Sequence, residues 1–204
     1  MNNKKQAASR PPAAASVTQG KLRIIGGTWR SRLLPVIIAQ GLRPTTDRIR
    51  ETVFNWLQSD IPGSRCLDLF AGSGALGFEA ASRGASEVVM VENAAETFKQ
   101  LQHNVEKLAA TQVKLLRQDA LHYLSQALQG AESAKTVDFD IVFLDPPYDC
   151  ALLQTVISLL ILSAGTKVYL EARKGDDIDV PDNWLLLKDK TAGQVHFSLY
   201  EIKE

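Results

Sequence analysis

Two rhythms of apolar and polar residues run through this chain. Short, nearly continuous apolar runs recur at residues 66–70 (CLDLF), 87–92 (EVVMVE), 139–144 (FDIVFL) and 167–171 (KVYLE). Each is too short for a buried helix and reads as a strand covered on both faces. Residues 112–118 form a further strand. Between the strands lie segments with helical spacing, at 75–82, 94–108, 120–128 and 151–162, and a polar loop at 130–137. Strand and helix in alternation predict a mainly parallel sheet with helices on both faces. The last two strands, 184–189 and 195–202, stand too close for a helical crossover. They pair as a hairpin, which makes one strand antiparallel, with His196, Ser198 and Tyr200 as outward positions of the final strand. The predicted fold is therefore α/β, with a seven-stranded, mostly parallel sheet.

The front follows a different pattern. Residues 21–25 (KLRII) alternate base and apolar, Gly26-Gly27 turns the chain, and residues 29–38 (WRSRLLPVII) are extended, predicting a β-hairpin with one basic face. Residues 41–47 (GLRPTTD) form a loop ending in an N-cap, Thr46 or Asp47. The helix that follows carries Ile49, Val53, Phe54 and Leu57 at helical spacing, and Pro62-Gly63 ends it. The chain thus divides into a basic tail (1–20), a hairpin-and-helix extension (21–62) and the main domain (63–204). The tail is biased to Ala, Ser and Pro and is predicted to be disordered. Because it is basic and lacks acids, a transit peptide is the alternative reading.

Charge sharpens this division. The 23 bases and 23 acids balance, but residues 1–50 hold ten Lys/Arg and only one acid, Asp47. The front therefore carries +9 and the remainder −9. A basic end on an acidic body suggests a polyanionic partner, most often nucleic acid. A solvated tail would explain Lys4, Lys5 and Arg10, but not the arginines from Arg23 to Arg50, which lie among Ile, Trp, Leu and Pro. No apolar run reaches the ~20 residues of a membrane helix, and no apolar signal core opens the chain, so secretion is not expected. Cys66 and Cys150 lack metal-ligand spacing and read as small core residues in a reducing cytoplasm. His103, His122 and His196 form no cluster, and no metal is expected.

Candidate chemistry gathers at the strand ends. Gly72-x-Gly74-x-x-Gly77, after a strand and into a helix, is a nucleotide-type turn. Dinucleotide enzymes share it, and a glycine-rich turn without a ligand is the bland alternative. Asp68 stands close to that turn, where it can meet a cationic ligand or orient the loop. Glu92, Asp119 and Asp145 likewise end strands, along the edge where such sheets bind ligands. Asp119 reads equally well as a cap of the next helix. Asp145-Pro146-Pro147-Tyr148 is either a stiff catalytic loop or a proline-stiffened strand exit.

These residues resemble a known family. The run from Asp68 to Gly74, Glu92 and the Asp145–Tyr148 tetrapeptide are similar to the class I S-adenosylmethionine-dependent methyltransferases, whose DPPY-type motif goes with methylation of exocyclic or amide nitrogens. The front is more specific. Gly26-Gly27, Arg30, Arg32, Leu34-Pro35 and the run from Gly41 to Leu57 resemble the RsmD family of bacterial enzymes that methylate N2 of one guanine of 16S ribosomal RNA. The likeness runs from Lys21 to the C-terminus; Ser31 is a departure outside the chemical motifs.

The resemblance implies a Rossmann-like class I fold and S-adenosylmethionine as cofactor. It implies cofactor contacts from Asp68, Phe70, Ala71, Gly72, Gly74, Glu92, Asn93, Asp119 and Ala120. Glu92 would take the ribose hydroxyls, Asp68 the ammonium group and Asp119 the adenine amine. Asp145 and the Pro146 carbonyl would hold the target amine, Asp145 also as proton acceptor, and Tyr148 would stack on a flipped base. Arg23, Arg30, Arg32, Arg43, Arg48, Arg50 and Pro147 would meet RNA, although Arg48 or Arg50 could instead pair with an acid of the body. The implied partner is 16S rRNA, or an assembling small ribosomal subunit, met in the cytoplasm by a monomer, with guanine 966 as target. Methylation of adenine N6 or another nitrogen, and RNA binding without catalysis, remain the alternatives at this point.

Overall fold

In a computed structural model, residues 18–38, 46–129, 138–147 and 150–204 are described. The expected tail over 1–17, most of the loop at 41–47, the polar loop at 130–137 and the Cys150 side chain lie outside them.

The front is a two-stranded antiparallel hairpin of β1 (Thr18–Arg23) and β2 (Leu33–Ile38), with Lys21 opposite Pro35 and Arg23 opposite Leu33. The second strand is shorter than the extended run at 29–38 predicts, because residues 28–31 are spent on a turn, and the first begins at Thr18, inside the stretch expected to be tail, and ends two residues earlier than expected. Leu22, Leu34 and Val36 are buried, while Lys21 and Leu33 are exposed. Helix α1 (Asp47–Trp56) starts at Thr46, whose hydroxyl accepts a hydrogen bond from the Ile49 amide at 3.4 Å. Ile49, Val53 and Phe54 face the core, and a Phe54–Phe143 ring contact joins this helix to the central sheet.

The main unit alternates as the pattern predicts. Its elements are β3 (Arg65–Asp68), α2 (Ala75–Ser82), β4 (Glu87–Val91), α3 (Ala95–Leu108), β5 (Val113–Leu116), α4 (Ala120–Gln129), β6 (Ile141–Leu144), α5 (Cys150–Leu159), β7 (Lys167–Arg173), β8 (Trp184–Ala192) and β9 (Val195–Ile202). The seven strands lie in the order β5-β4-β3-β6-β7-β9-β8. The first five are parallel, and β9 is antiparallel to both of its neighbours. Two cores sandwich the sheet. One, around Phe54, Phe78, Phe143 and Tyr169, lies under α1, α2 and the hairpin; the other, around Leu67, Leu144, Val156 and Leu170, lies under α4 and α5.

Ser198 corrects the outward pattern expected for β9. It is fully buried, and its hydroxyl donates to Asp189 on β8 at 2.7 Å. His196 and Tyr200 are half-buried. The face of β9 that carries Ser198 and Tyr200 packs on the second core, where the Tyr200 ring meets Trp184.

Candidate active site

The order β5-β4-β3-β6-β7 puts five carboxyl ends side by side, and a cavity of about 360 Å³ opens there. Its walls include Asp68, Phe70, Ala71 and Gly72 from the end of β3, Glu92 and Asn93 after β4, and Asp119 and Ala120 after β5. Asp145, Pro146 and Pro147 follow β6, and Glu171 belongs to β7. The topology thus brings the four strand-end acids singled out in the sequence to one hollow.

Each acid is held differently. Asp68 is buried; its Oδ2 accepts the Gly77 amide in the first turn of α2 at 2.9 Å, and its Oδ1 is buried with no hydrogen-bond partner. Burial pushes its carboxyl up to about 7 against the pull of the Gly77 amide, with Asp145 and Glu92 adding to the rise. Glu92 bridges two backbone segments, accepting the Gly72 amide at 2.9 Å and the Ala94 amide at 2.7 Å. A carboxylate has about four acceptor sites, so two remain for a ligand. Asp119 caps α4 by accepting the Leu121 amide at 2.8 Å and also lines the cavity. Asp145 is half-buried, Pro146 buried and Pro147 exposed. Tyr148 lies outside the described residues.

The glycines of the turn have separate reasons. Gly72 lines the cavity at φ +50, and a Cβ there would meet only the Phe70 carbonyl oxygen at 3.8 Å. Gly74 is a correction. It is absent from the cavity wall, and at φ +81 a Cβ would stand 2.5 Å from the Phe78 ring and 2.9 Å from Leu101. Core side chains packed against its backbone are enough to require glycine there. Gly77 is likewise closed off by Met90.

Above the cavity sits the hairpin, which contributes Lys21, Leu22, Val36 and Ile37 to the wall. A buried carboxylate ties it down. Glu79 on α2 accepts the Ile25 and Gly26 amides, each at 2.8 Å, and Arg83 Nε at 2.7 Å. Arg50 reaches the same carboxylate at 3.7 Å, bonds Asp47 at 2.7 Å and donates to the Arg23 carbonyl at 2.9 Å. Arg50 is fully buried, which corrects its assignment to an RNA surface: its charge is spent inside, in line with the alternative of an acid partner. The Gly27 Cβ position falls 1.9 Å from the Ser82 carbonyl oxygen, so only glycine lets the turn dock on α2. Ser31, the departure from the family pattern, sits at φ 65 in the left-handed region that favours glycine.

Arg23, Arg30, Arg32 and Arg48 are exposed, and none of them lines the cavity; Arg43 lies outside the described residues. Three residues with clear roles in the geometry do not stand out in the sequence: Lys21, Glu79 and Glu171. An acid in the last turn of an apolar helix (Glu79), and one more acid at a strand end (Glu171), are the available signals. Among the described residues no group of three His, Cys, Asp or Glu is placed to hold a metal, and no helix is long and apolar enough to cross a membrane.

An open parallel sheet with one inserted antiparallel strand, a glycine turn after β3 and acids along its carboxyl edge define a class I methyltransferase. Comparison with known proteins gives the family within that class. The model of the family described as "Conserved hypothetical protein 95" matches residues 22–201, and the chain belongs to this family. The chain is 43% identical over 189 residues to a Haemophilus influenzae protein named "Ribosomal RNA small subunit methyltransferase D", covering 90% of this chain and 95% of that one. The Escherichia coli K12 protein of the same name is 43% identical over 187 residues, covering 89% and 90%. The solved structure of yhhF from Escherichia coli superposes with a TM-score of 0.79 at 39% identity, covering 90% of this chain and 99% of that one. The likeness to the RsmD family thus holds over nearly the whole chain, and the protein is a methyltransferase.

Proposed function

We propose that this enzyme transfers a methyl group from S-adenosylmethionine to N2 of a specific guanine of 16S rRNA during assembly of the small ribosomal subunit in the cytoplasm. The observation that carries this is the position of Asp145 and Pro146 among the five strand ends, with the glycine turn and three acids to one side. The relatives' names supply the substrate class.

The walls fit this cofactor. A buried acceptor without a partner, Asp68 Oδ1, suits a ligand that brings an ammonium group. Glu92 retains acceptor sites for two ribose hydroxyls, and Asp119 and Ala120 border the position for a base. S-adenosylmethionine supplies an electrophilic sulfonium methyl group.

The chain's own residues prepare the nucleophile. The lone pair of a guanine N2 amine is delocalised into the ring. Hydrogen bonds from its two N–H groups to the Asp145 carboxylate and the Pro146 carbonyl favour a pyramidal nitrogen whose lone pair faces the methyl. Asp145 would accept the N–H proton that the amine gives up when its N–C bond replaces the methyl–sulfur bond and the thioether S-adenosylhomocysteine leaves, and would pass it on to solvent. The stiff Asp145-Pro146-Pro147 backbone holds this geometry, and positioning supplies much of the rate. The exposed arginines Arg23, Arg30, Arg32 and Arg48 would meet RNA phosphates around the opening.

The test is transfer of labelled methyl groups to small subunits, or to 16S rRNA, from a strain lacking this activity, followed by nucleoside analysis. Label in N2-methylguanosine at one position is expected, with a rate about 100-fold lower for Asp145→Ala at unchanged S-adenosylhomocysteine affinity. Label in adenine or protein, or cofactor binding without transfer, would overturn the reading.

A further inference from the structure

We propose that Glu171 reads the ring edge of the target base, taking the N1–H of the guanine whose N2 is held at Asp145. The inference rests on the guanine reading above and extends it to a residue on the opposite side of Asp145 from the cofactor groups.

The sheet order is the first argument. The groups suited to the cofactor end β3, β4 and β5, all on one side of β6. A methyl group presented to Asp145 from that side must be met in line by a nucleophile from the other, where β7 lies. Parallel pairing runs to Leu144 opposite Leu170, so Asp145, the first residue past β6, and Glu171 on β7 are the next positions along the two neighbouring segments. Glu171 is the acid of β7 on the cavity wall, 3% exposed, with the Tyr169 hydroxyl donating to its Oε2 at 2.8 Å. A buried acid with a fixed orientation on a cavity wall is costly to keep without a function there.

Its protonation fits the same role. Burial, and then the Asp145 charge, push the Glu171 carboxyl up to about 8, so at neutral pH it is mostly the neutral acid. A neutral carboxylic acid offers a carbonyl oxygen and an O–H side by side. Guanine offers N1–H and O6 side by side next to N2. The two edges match, with N1–H donating to the acid's carbonyl oxygen and the acid's O–H donating to O6. 2-Aminopurine keeps the N2 amine but has neither N1–H nor O6, and it cannot make this pair.

The experiment uses small subunits reconstituted with 16S rRNA carrying guanine or 2-aminopurine at the methylated position, with the full-length enzyme. Wild type should prefer guanine by about 10- to 100-fold in kcat/KM, the discrimination typical of one two-point contact to a base edge. Glu171→Ala should lose most of that preference, chiefly through guanine, at unchanged S-adenosylhomocysteine affinity. Glu171→Gln, which keeps an acceptor and a donor in the same places, should retain it and serves as the folded control. A Glu171→Ala enzyme whose preference equals wild type, whether at full or at uniformly reduced rate, would overturn the proposal while leaving the guanine reading intact. No transfer to guanine by wild type would overturn both.

Discussion

Asp68 makes cofactor affinity dependent on pH in a way that can be worked out before it is measured. Its carboxyl is pushed up to about 7 in the free protein. An ammonium group beside Oδ1 would restore the ionised form and carry the value well below 5.5. By linkage, the affinity for S-adenosylhomocysteine should then rise about 15-fold between pH 5.5 and 7, or ~1.6 kcal/mol. Near pH 6, binding should release close to one proton. The other titratable groups on the cavity wall are Lys21, Glu92, Asp119, Asp145 and Glu171; Glu171, pushed up to about 8, holds its proton through this window. Calorimetry in buffers of different protonation enthalpy measures both quantities. Asp68→Asn should bind more weakly and flatten the dependence. The same shift has a folding counterpart: the ligand-free fold binds this proton more tightly than the unfolded chain does. That stabilisation is fully present below the ordinary value of 3.8 and is lost as pH rises through about 7. Affinity that stays flat from pH 5.5 to 7 in wild type, or a slope that survives in Asp68→Asn, would refute the placement of the ammonium group.

Three further outcomes test the rest of the molecule. Glu79→Ala leaves the Ile25 and Gly26 amides and Arg83 Nε without their acceptor and takes one of two carboxylates from buried Arg50, and should cost about 3–5 kcal/mol of stability; a melting temperature within about 2 °C of wild type, on a scale of roughly 2–4 °C per kcal/mol, would show the latch to be idle. Gly74→Ala should lower the melting temperature through its clash with Phe78 and Leu101 while the folded fraction still binds S-adenosylhomocysteine; a soluble, normally stable variant that fails to bind would return this glycine to the ligand. Arg30→Ala with Arg32→Ala should weaken rRNA binding and lower the slope of log affinity against log salt by about 0.7–0.9 for each phosphate that the pair neutralises, without changing S-adenosylhomocysteine affinity; an unchanged slope would remove the hairpin from the docking surface.

Much of this protein is written locally. The alternation of strands and helices, the hairpin ahead of the sheet, the Thr46 cap and the acids at successive strand ends all follow from period, turn chemistry and capping within a few residues of each site. Even there, the apolar pattern overdraws a strand end: residues 69 and 70 continue an apolar run but leave β3, because the chain turns towards the cavity. Tertiary structure decided whatever depends on what packs from elsewhere. Arg50 and the exposed arginines of the front are alike in sequence, and the Glu79 carboxylate, 29 positions along the chain, together with the Arg23 carbonyl and Asp47, holds one of them inside. Gly72 and Gly74 belong to one motif, yet one faces the cavity and the other faces Phe78 and Leu101. Glu171 looks like any acid ending a strand until the strand order sets β7 beside β6 and brings it level with Asp145 on the neighbouring strand. Burial and charge proximity are sums over distant segments, and no window of sequence contains them.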